Sequence, residues 1–214
     1  MPMSATGSTN YTRSPEIRIR WSTLAGCLLG NVDPTPRAIR HCEEIEKRIG
    51  EPAAQSYSQD GKLAPGSYDL SKLVQGSLVL EPSALWVEAT TLKFFAPPDA
   101  SHVSHSIVNY QNDYRQDSPY IEVPATTLED LIAKHGLERL PLMKIDIEGA
   151  EIEVIKGMMA KSIHPRQLLV EFDEMNCPSA RSRKNVEDVD GVLRKTGYEC
   201  RYFDGHSNYF YVHR

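Results

Sequence analysis

The sequence predicts an α/β protein in which a mostly parallel sheet is covered by helices on both faces and ends in an antiparallel hairpin. Near-continuous apolar strands alternate with amphipathic helices along the second half of the chain, and this alternation is typical of a parallel sheet. Two aromatic segments, "YECRYFD" and "NYFYVHR", flank the turn residues "GHSN" at the end of the chain. Their spacing predicts the closing hairpin.

The chain has 214 residues, enough for one domain with a substantial core. Residues 1–16 are rich in Ser, Thr and Pro, so we expect a disordered tail there and a single domain over 17–214. The charge is 24 − 29 = −5, which favours a small neutral or polar substrate over nucleic acid or an anionic membrane. No apolar run approaches the ~20 residues of a membrane span, and no secretory signal is visible. We therefore expect a cytoplasmic protein.

The first element is a strand in "AGCLLGNVDPTP" (25–36), followed directly by a helix. The strand ends near Val32 because Pro34 and Pro36 cannot continue a ladder. The helix follows in "RAIRHCEEIEKRIG" and stops at Gly50. Its apolar residues recur at helical intervals of four, three and four, and they are Ala38, Cys42, Ile45 and Ile49.

The middle of the chain predicts a loop over 51–82, with one short strand at most. The segment "LKFFAPPDASHVSHSIV" predicts a strand, a proline-directed turn and an extended segment with His102 and His105. "YIEVP" alternates as a strand does. In "TTLEDLIAKHG", Thr126 and Glu129 predict a capping box, and Gly136 predicts the end of the helix.

The stretch "PLMKIDIEGAEIEVIKGM" predicts a strand over 142–147, a turn at Gly149 and a helix from about Ala150 to Ala160. Another apolar strand, "RQLLVEF", follows over 166–172. The last predicted helix lies in "NVEDVDGVLRKTG" and leads into the closing hairpin.

Acidic residues follow three of the predicted strands, and they are Asp33, then Asp146 with Glu148, then Asp173 with Glu174. In an open α/β sheet, ligands bind beyond the carboxyl ends of the strands. A carboxylate there can accept hydrogen bonds from two hydroxyls of a ribose, because it has two acceptor oxygens. The sequence therefore predicts a ligand site at this edge.

Each of these acids also has a structural interpretation that the residues leave open. Asp33 with Thr35 can simply initiate a turn and a helix. Asp146 can pair with Lys144, which lies two positions earlier and points to the same face of the strand. Glu151 is interpreted as structural, because its charge meets the positive end of the helix dipole.

The segment "LMKIDIEGAEIEVIKG", preceded by "VPATTLEDLI" and followed by "QLLVEFDE", resembles the signature of the FkbM family of methyltransferases. "VDPTPRAI" resembles the family's segment after its second strand, and "LKFFAPPDASHVSHSIV" resembles its middle hairpin. The resemblance extends from Asn31 to Arg214. It implies a Rossmann-like methyltransferase fold, S-adenosylmethionine as cofactor, and methyl transfer to a hydroxyl of a small molecule or sugar.

The resemblance also implies roles for individual residues. Asp33 would hold the ribose of the cofactor, and Asp146 and Glu148 would lie beside its methionine end and the acceptor. His105 or Asp146 would take the proton of the acceptor, although His102 and His105 are equally interpreted as loop residues with hydrogen-bonding duties.

A metal site is the weaker alternative at these strand ends. Asp146, Asp173 and Glu174 offer the hard oxygen ligands that Mg²⁺ prefers, but acids at strand ends are common without metal. The four cysteines form no C-x-x-C pair, so zinc is not predicted either. The predicted site therefore contains no metal.

One part of the expected cofactor site is missing from the sequence. A methyltransferase of this class carries a Gly-rich loop after its first strand, yet upstream of Asp33 the glycines are Gly7, Gly26 and Gly30, without an E/D-x-G-x-G pattern. The sequence therefore leaves open whether the first strand of that fold is present. The chain is either a shortened form of an enzyme or a methyltransferase-like module that binds without catalysis. A dehydrogenase is disfavoured, since G-x-G-x-x-G is missing as well.

Overall fold

The computed structural model describes residues 29–54, 65–96, 105–107, 119–176 and 178–214. The predicted tail over 1–16 and His102 lie outside the described residues. The described strands are β1 (Leu29–Val32), β2 (Leu78–Glu81), β3 (Ala84–Leu85), β4 (Thr90–Phe95), β5 (Tyr120–Thr126), β6 (Met143–Ile145), β7 (Gln167–Glu171), β8 (Tyr198–Phe203) and β9 (Asn208–His213). The described α-helices are α1 (Pro36–Lys47), α2 (Leu128–His135), α3 (Glu151–Ala160) and α4 (Ala180–Lys195).

The amino-terminal part of the described chain consists of the parallel pair β1-β2 and helix α1. β1 ends at Val32 as predicted, and Thr35 caps α1 by accepting a hydrogen bond from the Ala38 amide at 3.3 Å. Cys42 and Ile49, on the predicted apolar stripe, are buried. β2 is the short strand that was predicted within 51–82.

The middle part is a three-stranded sheet in the order β3-β5-β4, with β4 antiparallel to β5. The prediction for "YIEVP" is confirmed. The predicted cap of α2 at Thr126 is wrong by one residue, because Thr126 is still paired with Leu85 of β3. Thr127 caps the helix instead, accepting from the Asp130 amide at 3.1 Å, and Gly136 ends it in the left-handed conformation.

The carboxyl-terminal sheet has the order β6-β7-β9-β8, and β9 is antiparallel to both of its neighbours. The predicted closing hairpin is therefore confirmed. The prediction of a mostly parallel sheet is not confirmed, since the described strands form three parallel and three antiparallel pairs in mixed sheets. The three antiparallel pairs are β4-β5 and the two pairs that β9 forms with its neighbours β7 and β8.

The main core lies between the carboxyl-terminal sheet and helices α3 and α4, which pack on the same face. The core is formed by apolar side chains of these helices and by the inward side chains of the strands, among them Ile145, Ile155, Leu168, Leu193 and Tyr211. The opposite face of β6 and β7 carries Lys144, Leu169 and Glu171, which are exposed or half-buried. Helices on both faces of this sheet are therefore not confirmed by the described residues.

β1 and β6 are the outermost strands of their sheets, each with a partner on one side within the described chain. In the same part of the chain, no strand pairs with the second edge of either one, and the sequence had left open whether the first strand of the fold is present. None of the described helices is long and apolar enough to cross a membrane.

Candidate functional site

A cavity of about 190 Å³ lies at the carboxyl ends of β1 and β6. Its lining includes all four of the predicted site residues, Asp33, His105, Asp146 and Glu148. They come from three separate parts of the chain, which the fold brings to one edge as the strand-end rule predicts. Their chemical roles stay predictions.

Asp33 follows β1 and takes part in two local hydrogen bonds. Its Oδ1 accepts from the Thr35 amide at 2.8 Å, and its own amide donates to the Glu81 carbonyl at 3.2 Å. The structural interpretation of Asp33 as a turn initiator is thus confirmed. The Oδ2 atom of Asp33 has no hydrogen bond with the described residues, and each carboxylate oxygen has two lone pairs. Asp33 can therefore hold the turn and still accept from a ligand.

Asp146 is paired with Lys144, the partner that the sequence had suggested. Lys144 Nζ and Asp146 Oδ2 are 2.6 Å apart, and the two side chains are 59% and 34% exposed. An ion pair this open to solvent contributes little, typically about 0–1 kcal/mol. The pairing therefore does not prevent Asp146 from exchanging Lys144 for a ligand.

The turn after β6 brings Glu148 to the cavity through two consecutive left-handed residues. Gly149 has φ 98°, as its predicted turn requires, but Glu148 has φ 58°, which is uncommon for a residue with a side chain. Such backbone conformations persist only where neighbouring groups enforce them, and they cluster at functional sites.

Glu151 is the residue that enforces this turn. Its Oε1 accepts from the Ile147 amide at 2.9 Å, and its Oε2 accepts from the Gly149 amide at 2.9 Å. The side chain is completely buried at the first position of α3. The structural interpretation of Glu151 from the sequence rested on the helix dipole and did not include this pair of hydrogen bonds to the turn. An acid two residues after the glycine of a turn was the available signal.

Burial makes Glu151 an unusual carboxyl group. Burial is the largest of the effects that raise the pKa of Glu151 to about 7, and the negative charge of the nearby Glu174 acts in the same direction. The hydrogen bonds from the turn amides lower this pKa but do not outweigh burial. Burial raises the pKa of Glu174 as well, and its Oε2 has no hydrogen bond among the described residues. The turn is thus held by a carboxyl group that titrates near neutral pH.

His105 lies on a short segment that is attached to both β4 and the turn. The neighbouring Ser106 exchanges two backbone hydrogen bonds with Phe95, and its hydroxyl donates to the Glu148 carbonyl at 2.5 Å. Ser106 is almost fully buried. This attachment, which the sequence did not suggest, positions His105 at the cavity.

The cavity edge carries an excess of negative charge. Burial, and then the carboxylates of Asp146 and Glu148, raise the pKa of Glu171 on the neighbouring strand. Crowded carboxylates of this kind favour a positively charged ligand.

The metal alternative has no support in the described residues. Asp173 and Glu174 are buried and do not line the cavity with Asp146. No group of three or more His, Cys, Asp or Glu side chains in the described ranges is arranged to hold a metal ion.

The family model described as the methyltransferase FkbM domain matches residues 33–200. The matched region contains the four side chains at the cavity and most of the chain. Searches of curated proteins and of solved structures find no match.

Proposed function

Because the chain belongs to the FkbM methyltransferase domain family, we propose that it is an O-methyltransferase that uses S-adenosylmethionine to methylate a hydroxyl of a small molecule or sugar. The observation that carries the proposal is the cavity at which Asp33, His105, Asp146 and Glu148 meet. S-adenosylmethionine supplies a methyl group on a positively charged sulfur. The protein has to align the oxygen of the acceptor hydroxyl with the carbon of this methyl group, and it has to remove the proton of the hydroxyl.

The residues at the cavity suit this cofactor in their chemistry. Asp33 offers carboxylate oxygens to ribose hydroxyls, while Asp146 and Glu148 supply negative charge for a sulfonium. The cavity, at about 190 Å³, is smaller than the roughly 300 Å³ at which small-molecule sites begin. A cavity of this size would accommodate the ribose and sulfonium part of the cofactor rather than all of it.

Two residues are candidates for the base that accepts the proton of the hydroxyl. His105 is held at the cavity by the bonds of Ser106, and Asp146 lies there with Lys144 as an exchangeable partner. The pH profile of kcat/KM distinguishes them, since replacing the base removes the acidic limb. His105→Gln and Asp146→Asn are the test variants, with the exposed His206→Gln as control.

Calorimetric titration with S-adenosylhomocysteine tests the proposal directly. We expect heat of binding with one site per chain in a preparation whose folding is verified by a cooperative thermal transition. No heat in such a preparation would remove the enzyme function for this chain. That result would favour the alternative function, a methyltransferase-like module that binds without catalysis. The missing Gly-rich pattern is the observation that supports this alternative.

The acceptor has to be identified by experiment. Loops such as 99–120, where specificity is expected, lie mostly outside the described residues. A panel of sugars and hydroxylated small molecules, assayed for transfer of a labelled methyl group, addresses this part. Transfer only to nitrogen or carbon acceptors would contradict O-methylation while keeping the family.

A further inference from the structure

Glu81 is a buried carboxylate at the carboxyl end of β2, between two cavities. The first cavity, of about 190 Å³, is the candidate site, and the second, of about 460 Å³, is lined by Glu81 itself. Only 10% of the Glu81 side chain is exposed. Its Oε2 accepts from Lys134 Nζ at 2.8 Å, and its Oε1 lies 2.5 Å from Nε2 of His135. These two contacts form a clasp around the carboxylate. The hydrogen bond from Lys134 is the largest of the effects that lower the pKa of Glu81, so the clasped group is ionised at neutral pH.

Both partners of Glu81 come from the last turn of α2, whose other end is attached to the main core. Thr127 caps α2 directly after β5, and Leu128 packs against the main core. Cationic residues in the last turn of a helix are favourable in their own right. That effect does not explain why two of them converge on one carboxylate that lies 53 and 54 positions away in the sequence. The side chain of Glu81 therefore ties β2 to α2.

The backbone carbonyl of Glu81 holds two segments that line the first cavity. It accepts from the Asp33 amide at 3.2 Å and from the Ser83 amide at 2.8 Å. Asp33 lines the cavity after β1, and Ser83 immediately precedes Ala84, which lines it from β3. A shift of this carbonyl would therefore move the carboxylate of Asp33 relative to Asp146, which follows β6.

We propose that Glu81 is a positioning residue for Asp33, because the clasp on its side chain fixes the carbonyl that holds the Asp33 amide. The proposal rests on the proposed function in one respect, since Asp33 matters for the cofactor only if it binds the ribose. Glu81 does not line the first cavity, so its effect on the cofactor has to pass through Asp33. A misplacement of about 1 Å can cost an enzyme about 100-fold in rate, which makes a fixed anchor for Asp33 important.

Three variants separate the clasp from other effects. Glu81→Leu releases the clasp and keeps an apolar side chain in the buried position, and Lys134, which is 60% exposed, regains its hydration, so we expect the variant to fold. Glu81→Gln is the conservative variant, because its amide can still accept from Lys134. Glu129→Leu is the matched control, since it removes a carboxylate from α2 that is 61% exposed and pairs with Lys161.

Hydrogen exchange, measured by NMR without cofactor, tests the anchor itself. We expect the amides of Asp33 and Ser83 to exchange several-fold faster in Glu81→Leu, and at the parent rate in Glu81→Gln and Glu129→Leu. The amide of Leu168 in the main core is the internal reference and should keep its rate in all of them. Unchanged exchange at Asp33 and Ser83 in a folded Glu81→Leu variant would overturn the proposal, as would an equal acceleration at Leu168, which reports a general loss of stability.

The affinity for S-adenosylhomocysteine tests whether Glu81 acts through Asp33. In the parent chain we expect Glu81→Leu to weaken binding several-fold and Glu129→Leu to leave it unchanged. In an Asp33→Ala background Glu81→Leu should have no further effect, because the carboxylate that it positions is gone. An equal loss in both backgrounds would contradict the positioning role. If the parent chain does not bind, the proposed function fails, and hydrogen exchange still decides whether Glu81 positions Asp33.

Discussion

The two walls of the first cavity are held in different ways. The carboxyl-terminal wall, β6 with residues 146–150, is continuous with the main core between the sheet and helices α3 and α4. The amino-terminal wall, β1 with residues 33–35, belongs to a two-stranded sheet whose side chains are mostly half-buried. One wall is thus fixed by packing and the other by a few local hydrogen bonds, so substitutions in the two walls should have different consequences.

The largest difference is expected in the stability of the two walls. Leu168→Ala empties a fully buried position of β7, behind the carboxyl-terminal wall, and should cost about 2–5 kcal/mol of unfolding free energy. Leu80→Ala removes the same atoms from a half-buried position of β2, and should cost about 1 kcal/mol. Urea unfolding measures both. Equal losses would remove the contrast between the walls.

Glu151 makes the carboxyl-terminal wall sensitive to pH. Its pKa is raised from an ordinary 4.5 to about 7, so between these values the folded state binds a proton that the unfolded state releases. Stability therefore falls as pH rises through this window, by about 3 kcal/mol for a shift of this size, and is level above it. Glu151→Gln should flatten the curve.

The control for this change is Glu43→Gln on the exposed face of α1. Thermal unfolding measured from pH 4 to 8 gives the three curves. A Glu151→Gln variant whose stability follows the parent curve over the whole range would show that Glu151 is not the titrating group.

The amino-terminal wall should show its importance in binding rather than in stability. Under the proposed function, Asp33→Ala would remove a charged acceptor from the ribose hydroxyls, and such a hydrogen bond contributes about 1.5–3 kcal/mol, so the affinity for S-adenosylhomocysteine should fall about 10- to 100-fold. Calorimetry measures the affinity, with Asp188→Ala on the exposed face of α4 as control. Lower thermal stability with unchanged affinity would leave Asp33 as a turn residue alone.

The smallest effect is expected for the ion pair on the carboxyl-terminal wall. Lys144→Met removes the partner of Asp146 from an exposed pair, and should change the unfolding free energy by less than about 1 kcal/mol. Differential scanning calorimetry at low and high salt measures it. A larger loss would mean that Lys144 holds Asp146 in place and that the wall depends on more than packing.

The sequence predicted most elements and the position of the acids because those features are local. These features follow from the backbone preferences of single residues. β1 ends at Val32, before Pro34, α2 ends at Gly136, and the chain turns at Gly149. The strand-end rule then predicted that Asp33 and Asp146 would lie at one edge.

What the sequence did not predict depends on contacts between distant segments. The bond from Ser106 to Glu148 joins residues 42 positions apart, and no local pattern indicates it. The insertion of β9 between β7 and β8 made the sheet mixed through pairing choices that periodicity does not encode. The clamp by Glu151 was missed because an acid at the start of a helix already has a sufficient local explanation.

The left-handed backbone of Glu148 has a consequence for protein engineering. A glycine would adopt this conformation without the roughly 1 kcal/mol that a residue with a side chain spends there, so a screen for heat tolerance would select Glu148→Gly. The same change would delete one of the carboxylates at the cavity. Under the proposed function, thermostability and cofactor binding would therefore compete at this single position, and stabilised versions of the protein should be designed with residue 148 held fixed.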